Sequence, residues 1–537
     1  MKKNKSSGYV VMWLSGYVIK LLVLLITIHL ITNHCLYATW IGGYYEIECT
    51  ADKNSDFDWN LRLPKHYLQV KFWSSPITGA EVYGQLAAKT DEPWNNMTDF
   101  YLDRVWGKYW FKKGEFLYSA KEERHYIDSP LLYLVNLDKA SDKRGWWDNS
   151  RGQLVRLNLW ELGPVGGSFI VTKDEPVYKQ NWYGNYFDQN SLAYISKLSF
   201  RIFKTQNSRG NFSIGYIAKE KDITKFNPVY DASGNVTGYA EQSLFDFKNE
   251  IFCADTKFFF PYFTFVTEYA QNQKPQDFAY ACEMRDILMG PFRLLGRGYH
   301  YSENFRDELS NRFSGRNSDY TLNTNPEFDR KGYYAEIVYL FPYKMVNLTY
   351  KGNFYETRFE KVKDNQAVRG EYDVSFTTHP YNVNWHYAEV YTEFIKGLKG
   401  KIAFEQYNDR NGIWPSYMVE LQGESQMAYG RLQMRLKDIN SESGLGERFI
   451  LGAETRVNLT EKMQAYYRTV TVQSNYKKKN WASSFYQIRY NILPDIETYL
   501  EYGEGWPTDL LAYDNDIADN EYIDLVHTIK FILKINF

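Results

Sequence analysis

The chain is poor in most of the features that mark a soluble enzyme. It has four cysteines in 537 residues, and the three beyond the N-terminal stretch, Cys49, Cys253 and Cys282, are irregularly spaced. An odd set at such spacing makes neither a disulfide framework nor a zinc site, so these thiols are expected to be small apolar or inward-facing side chains. There is no H-E-x-x-H, no G-x-S-x-G and no P-loop among the residues, and the eight histidines show no metal-ligand spacing. His125 precedes Ser129 by four positions, but nothing in the sequence supplies an oxyanion site beside them. The expectation is therefore a protein without cofactor, metal or catalytic residues, and not an enzyme. A formal net charge of −2 removes the electrostatic footprint of a nucleic-acid partner. No fixed-period repeat and no low-complexity linker is present, which argues against a propeller, a solenoid or a string of domains.

Long apolar runs are also missing beyond the first residues. Lys2, Lys3 and Lys5 precede an apolar stretch that is uncharged from Leu21 to Ile31, too short to span a bilayer comfortably. Residues 1–38 are read as an export signal, with a cleavage site after Ala38 that carries Leu36 at the position where a small residue is usual. Retention of this stretch as an inner-membrane anchor is the alternative. Everything from residue 39 to 537 is read as one domain.

Aromatic residues, in contrast, are abundant: 18% of the chain, with 47 Tyr and 15 Trp, although mean hydropathy is negative. That combination suits strands that show an apolar side chain only at every second position and use Tyr and Trp at membrane interfaces. The last fourteen residues display the pattern most clearly. Leu525, Ile529, Phe531, Leu533, Ile535 and Phe537 fall on one side of an extended chain, and Thr528, Lys530, Lys534 and Asn536 on the other. The period is two, not 3.6, and the β-branched and aromatic composition favours a strand. The chain stops on Phe537, an aromatic of the apolar face. Here it resembles the bacterial outer-membrane β-barrels, which close on an alternating strand ending in Phe. The resemblance implies that Phe537 is an assembly signal read by the outer-membrane assembly machinery, that the lipid bilayer is a partner, and that the protein lies in the outer membrane of a Gram-negative bacterium.

Alternating runs recur along the whole chain, with weaker candidates near 40–48, 66–75, 79–89, 99–112 and 115–126. Together they predict an all-β, single-chain, transmembrane up-and-down antiparallel β-barrel of about 24 strands, within a range of 18–26. The connections sort by length. Short Gly/Pro-bearing turns fall at 163–167, 290–291, 341–344, 397–400 and 493–495, whereas long polar segments fall at 127–149, 175–190, 220–240, 302–331, 359–382 and 505–523. Tight periplasmic turns and long external loops produce this asymmetry, and a sandwich has no reason for it.

The strands also have legible faces. Leu432, Met434 and Leu436 oppose Arg431, Gln433, Arg435 and Lys437; Phe449, Leu451, Ala453 and Val457 oppose Arg448, Glu454 and Arg456. Charge facing lipid is costly, so the polar face is assigned to the lumen. The predicted lumen-lining basic set is Arg156, Arg201, Arg431, Arg435, Arg448, Arg456, Arg468, Arg489, Lys530 and Lys534, with Gln487, Glu497 and Glu501 among them. Two readings stay open: a basic wall that attracts anions, or a ladder of cross-strand ion pairs that selects nothing. The lumen is expected to be polar over most of its perimeter, with no apolar plug. The external segment 128–151 is unusually apolar from Pro130 to Leu137 and continues as DKRGWWDNSR, so it is predicted to fold inward. That would place Asp142, Lys143, Arg144, Trp146, Trp147, Asp148 and Arg151 at a constriction, where indole rings beside charged groups suit sugar binding. Trp146 and Trp147 as part of an outer interfacial belt is the other reading. This strand, inward loop and Arg-bearing strand loosely resembles the alginate-export-type porins, and the resemblance implies passage of an anionic or sugar-like solute.

The function expected from these features is an outer-membrane channel for passive or facilitated diffusion of hydrophilic solutes, anionic or carbohydrate-like, small or polysaccharide, through a basic polar lumen. The alternatives are a barrel acting as adhesin, receptor or scaffold through its loops, and a soluble secreted glycan-binding β-protein.

Overall fold

The computed structural model describes residues 39–53, 59–62, 64–90, 98–120, 127–135, 153–174, 186–230, 236–272, 276–307, 310, 312–313, 325–341, 346–366, 371–437, 448–474, 480–503 and 528–537. They form 25 strands in chain order, from β1 (Thr39–Lys53) to β25 (Thr528–Asn536). Each strand pairs antiparallel with its neighbours in sequence, apart from β2 (Trp59–Leu61), which only extends the far end of β1. β1 pairs with β3 (Lys65–Ser74) along one edge and with β25 along the other, from Tyr44 opposite Asn536 to Asp52 opposite Thr528. With β2 outside the wall, 24 staves close on themselves and no edge is left to pair with another chain.

The seam is tied at its end by the last residue. The Phe537 N–H donates to the Gly43 carbonyl at 3.1 Å, and the Gly43 N–H donates to the Phe537 carbonyl at 2.8 Å. Only glycine fits at 43, because a Cβ there would lie 2.0 Å from the Gln69 carbonyl oxygen.

Alternation decides what each face meets. Val390, Ile402, Val419, Leu421, Leu432, Met434, Leu500 and Phe531 are all exposed, on positions alternating with buried or ion-paired polar residues. A ring of exposed apolar side chains around a closed wall is the lipid-facing band of a transmembrane barrel, so the polar positions face the lumen. Phe531 is 45% exposed, which excludes two stacked sheets burying the terminal strand between them. The protein is an outer-membrane β-barrel.

The ends of the barrel differ. The connections at the end that holds Phe537 are short, two residues at 112–113, 163–164, 261–262, 290–291, 396–397 and 494–495. This is the periplasmic end, and the longer connections lie outside. Two segments predicted as external loops are instead paired strand. Residues 220–230 and 236–240 belong to β10 (Arg209–Tyr230) and β11 (Val236–Phe260), and 359–366 and 371–382 to β16 (Val346–Gln366) and β17 (Glu371–Ile395). A stave needs only about ten residues to cross the bilayer. At 22, 25, 21 and 25 residues these four continue far beyond it. Outside the membrane neither face meets lipid, so the apolar alternation fades and the sequence reads as loop although the ladder goes on.

Candidate functional site

The lumen divides into two sectors. One is filled. In the connection between β6 (Gly114–Ala120) and β7 (Gln153–Leu162), Leu131, Leu132, Leu134 and Val135 are completely buried. They pack on lumen-facing Ile195, Ile217, Ile251, Val266, Ala270, Ala279 and Ala281, which belong to successive staves. A second inward segment, from the connection between β14 (Phe292–Tyr301) and β15 (Arg330–Leu340), adds Phe305, Phe313 and Phe328, all fully buried. Phe313 meets both Phe305 and Tyr301 edge-on at 5.0 Å.

This brace is fixed by charge as well as by packing. Glu268, on β12 (Phe263–Gln271), accepts from Ser129 Oγ at 2.6 Å and from the Leu131 and Leu132 N–H groups at 2.7 Å each. Ser129 Oγ accepts in turn from the Leu134 N–H at 2.8 Å. Lys197 donates to the Asp128 carbonyl while paired with Asp255, and Lys257 donates to the Asp128 carboxylate at 2.6 Å. Arg312, in the second segment, donates to the Leu131 carbonyl at 2.5 Å and pairs with Glu327 at 3.0 Å. Tyr133 and Val135 are held at φ 56° and 53°. For a β-branched residue this left-handed conformation costs about 1–2 kcal/mol, which the surrounding bonds must offset.

The apolar run predicted to fold inward therefore does lie against the inner wall, but the expectation of a lumen polar over most of its perimeter, without an apolar plug, is corrected. The strand Phe278–Met289 opens on FAYAC, which puts Ala279 and Ala281 on the lumen side and Phe278 and Tyr280 on the lipid side. A run that is apolar on both faces gives no sign of which solvent either one meets. Asp142, Lys143, Arg144, Trp146, Trp147, Asp148 and Arg151 lie outside the described residues.

The other sector is polar and ion-paired. On β20 (Ala428–Lys437), Arg431 reaches Glu420 at 3.0 Å and Glu454 at 3.7 Å, and Arg435 reaches Glu405 at 3.4 Å. Arg489, on β23 (Asn480–Leu493), pairs with Glu497 at 2.8 Å, Lys530 with Glu48 at 3.8 Å, and Arg156 with Glu115 at 2.9 Å. Aromatic rings take up the remaining cations. Arg456 lies over Tyr429 at 5.5 Å, Arg468 over Phe485 at 5.7 Å and Lys534 over Tyr44 at 4.7 Å. Arg448 is buried, and Arg201 shares its face with Lys197. Glu454 also accepts from the Tyr429 and Tyr466 hydroxyls, each at 2.9 Å. Of the two readings open for the basic residues, Arg156, Arg431, Arg435, Arg489 and Lys530 have the geometry of the cross-strand ladder, each within reach of a carboxylate.

Sequence reasoning passed over one group, the lumen-facing aromatics Trp385, Tyr387, Tyr407 and Trp414 on β17, β18 (Leu398–Asp409) and β19 (Gly412–Glu424). The signal was available as W-x-Y at period two, opposite the exposed Val390, Ile402 and Ile413.

Among solved structures, the chain is similar to several siderophore receptors. The siderophore receptor PirA from Pseudomonas aeruginosa aligns over 93% of this chain and 80% of its own, at 7% identity and a TM-score of 0.46. PirA from Acinetobacter baumannii aligns over 93% and 81%, at 9% identity and a TM-score of 0.45. The ferric enterobactin receptor PfeA from Pseudomonas aeruginosa, as a Q482A mutant in complex with enterobactin, aligns over 92% and 81%, at 8% identity and a TM-score of 0.45. No protein-family model matches the chain, and no curated protein matches it by sequence.

Proposed function

We propose that the protein is an outer-membrane channel through which small hydrophilic solutes, hydroxyl-rich rather than strongly anionic, cross by facilitated diffusion. The observation that carries this reading is the polar sector: lumen-facing Arg, Glu, Gln and Tyr side chains bonded to one another across successive staves from β17 to β25. Such a wall offers a passing hydroxyl group donors and acceptors at close intervals, without the charge surplus that would hold an anion. The brace occupies the opposite sector, so the route runs off-centre, along the ladder. No covalent chemistry and no cofactor enters this reading.

Reconstitution of the purified barrel into planar bilayers tests it. Discrete conductance steps with weak cation/anion discrimination are expected. The reading fails if the correctly folded barrel, verified by its heat-modifiable migration, carries no current and admits no sugar into liposomes. That outcome favours a surface receptor, for which the hairpins β10–β11 and β16–β17, standing well beyond the membrane, offer an extended external wall.

A further inference from the structure

The aromatic group on β17–β19 lies between the brace and the ladder: Tyr407 bonds to Tyr355, which packs on the brace cluster, and Trp385 bonds to Glu405 of the ladder. Trp385 and Tyr387 occupy alternate positions of one stave, and their rings are stacked, nearly parallel at 12° with centroids 6.1 Å apart. Tyr407 is directly opposite Trp385 on β18, and Trp414 directly opposite Tyr407 on β19, so four aromatic residues share the lumen face of three adjacent staves, a platform in register. Trp385 and Tyr387 are half-buried and Tyr407 is exposed, although large aromatics in a packed interior would be covered.

The edges of the platform are polar. The Trp385 indole N–H donates to Glu405 Oε1 at 2.9 Å, and the other oxygen of that carboxylate meets Arg435 Nη2 at 3.4 Å. Arg435 is steadied from behind by its Nε–H donating to Ser416 Oγ at 2.7 Å. Glu405 remains 39% exposed while making both contacts, so its unused lone pairs open onto the lumen.

Position in the barrel adds to this. β18 and β19 meet at 410–411, outside the membrane, after 12 and 13 residues, whereas their neighbour β17 runs for 25. The rim is therefore low beside a tall wall, and Tyr407 and Trp414 lie within a few residues of its crest. Solute arriving from outside meets this platform first.

We propose that Trp385, Tyr387, Tyr407 and Trp414, edged by Glu405 and Arg435, form an entry subsite for a neutral carbohydrate ring. The C–H face of a pyranose is apolar and flat enough to stack on the rings, while its equatorial hydroxyls point outward in the ring plane to a carboxylate acceptor and a guanidinium donor. The Tyr387 hydroxyl also donates to Glu389 and the Trp414 indole N–H to Asp409 at 3.4 Å, so acids outnumber the single Arg435 at the edge, which suits a neutral sugar better than a uronate. The proposal rests on the channel reading for its role, but its binding test does not.

Equilibrium dialysis of the full-length barrel in detergent against labelled maltohexaose measures binding without current. Saturable binding is expected, with Trp385→Ala and Trp414→Ala each weakening it about tenfold, the loss of one stacking partner. Glu405→Gln, which keeps the size and one acceptor oxygen, should weaken it less. A hexamer of glucuronate should bind more weakly than maltohexaose, and polyethylene glycol of similar mass should not compete. The proposal is overturned if maltohexaose does not bind the folded wild-type barrel, if the uronate binds more tightly, or if the Trp385→Ala and Trp414→Ala barrels, shown folded by heat-modifiable migration, bind as the wild type does. Conductance without sugar binding would sink the subsite and leave the channel standing. Sugar binding without conductance would keep the subsite as a receptor site and sink the channel.

Discussion

Glu268 is the residue on which the internal brace most depends, and its removal has a calculable effect. Its carboxylate accepts the Leu131 and Leu132 N–H groups and the Ser129 hydroxyl, at 2.6–2.7 Å, in a region where Leu131 and Leu132 are fully buried. Glu268→Ala leaves two buried amides and one hydroxyl without their acceptor. A buried donor without a partner costs about 1–3 kcal/mol, so the two amides alone destabilise the docked segment by roughly 2–6 kcal/mol. Water entering the space left by the side chain favours the lower part of that range. At about 3 kcal/mol the local opening constant rises on the order of a hundredfold. Hydrogen exchange followed by mass spectrometry on the peptide containing Leu131 and Leu132 reads this directly, with a peptide from β20 as the internal control. Glu268→Gln should fall between the two, because one acceptor oxygen survives and the amide nitrogen faces an N–H. In single-channel traces the Ala variant should add open-state noise as the segment leaves the wall. Unchanged protection of the Leu131 and Leu132 amides in a folded Glu268→Ala barrel would refute the claim that this carboxylate secures the brace.

Three further outcomes follow from the wall itself. Glu420→Gln removes the carboxylate shared by Arg431 and Gln433, so reversal potentials in a KCl gradient should move toward anion preference; no movement would mean that the ladder does not set the lumen field. Phe531→Arg puts a charge on the lipid face and should cost about 2–4 kcal/mol near the midplane, read as a shifted urea midpoint for folding into vesicles; a silent substitution would contradict the outward assignment of this position. Gly43→Val forces a Cβ against the Gln69 carbonyl beside the β1–β25 seam, and should lower the temperature at which the barrel loses its compact electrophoretic form; an unchanged transition would place the weak point of the wall elsewhere.

Period-two alternation carried most of the fold. Wherever one face met lipid and the other water, as in Leu432, Met434 and Leu436 against Arg431, Gln433 and Arg435, both the strand and its facing were legible. The pattern failed where that difference of solvents disappears. Above the membrane, β10–β11 and β16–β17 keep their hydrogen-bonded ladder without a lipid-facing side, and the apolar Phe359, Val362, Val374 and Phe376 of β16–β17 pack on the brace cluster instead, so the residues read as loop. On β11 to β13 the lumen positions packed under the brace, Ile251, Val266 and Ala279 among them, are apolar, so they gave no contrast with the lipid side. The charge ladder was half legible: Arg431 and Glu454 could be assigned to the lumen, but whether they lie within bonding reach depends on strand register. That is set by the ladder pairing Arg431 with Glu454, not by either residue alone.

Barrel size explains why such a brace is needed. With strands about 4.8 Å apart and tilted about 40°, a round wall of 24 staves is roughly 45–50 Å across at the backbone, too wide for side chains to meet at its centre. Left open, the apolar inner faces of β9 to β14 would stand in water, at a cost of about 25 cal/mol for every Å² exposed. Two connections fold back to cover them, and the buried phenylalanines of the second lie against the leucines of the first. But a segment buried against an apolar wall must also satisfy its own backbone. That is the work of Glu268, Lys197 and Arg312, which bond to the main chain of residues 128–132 from three directions. The apolar staves and the charged anchors are thus one device, and removing either should release the other. Among the described residues the sector from β17 to β25 has no apolar inner face of comparable extent, its buried apolar group being limited to Val383, Ala403, Ile450, Val470, Val472 and Phe485.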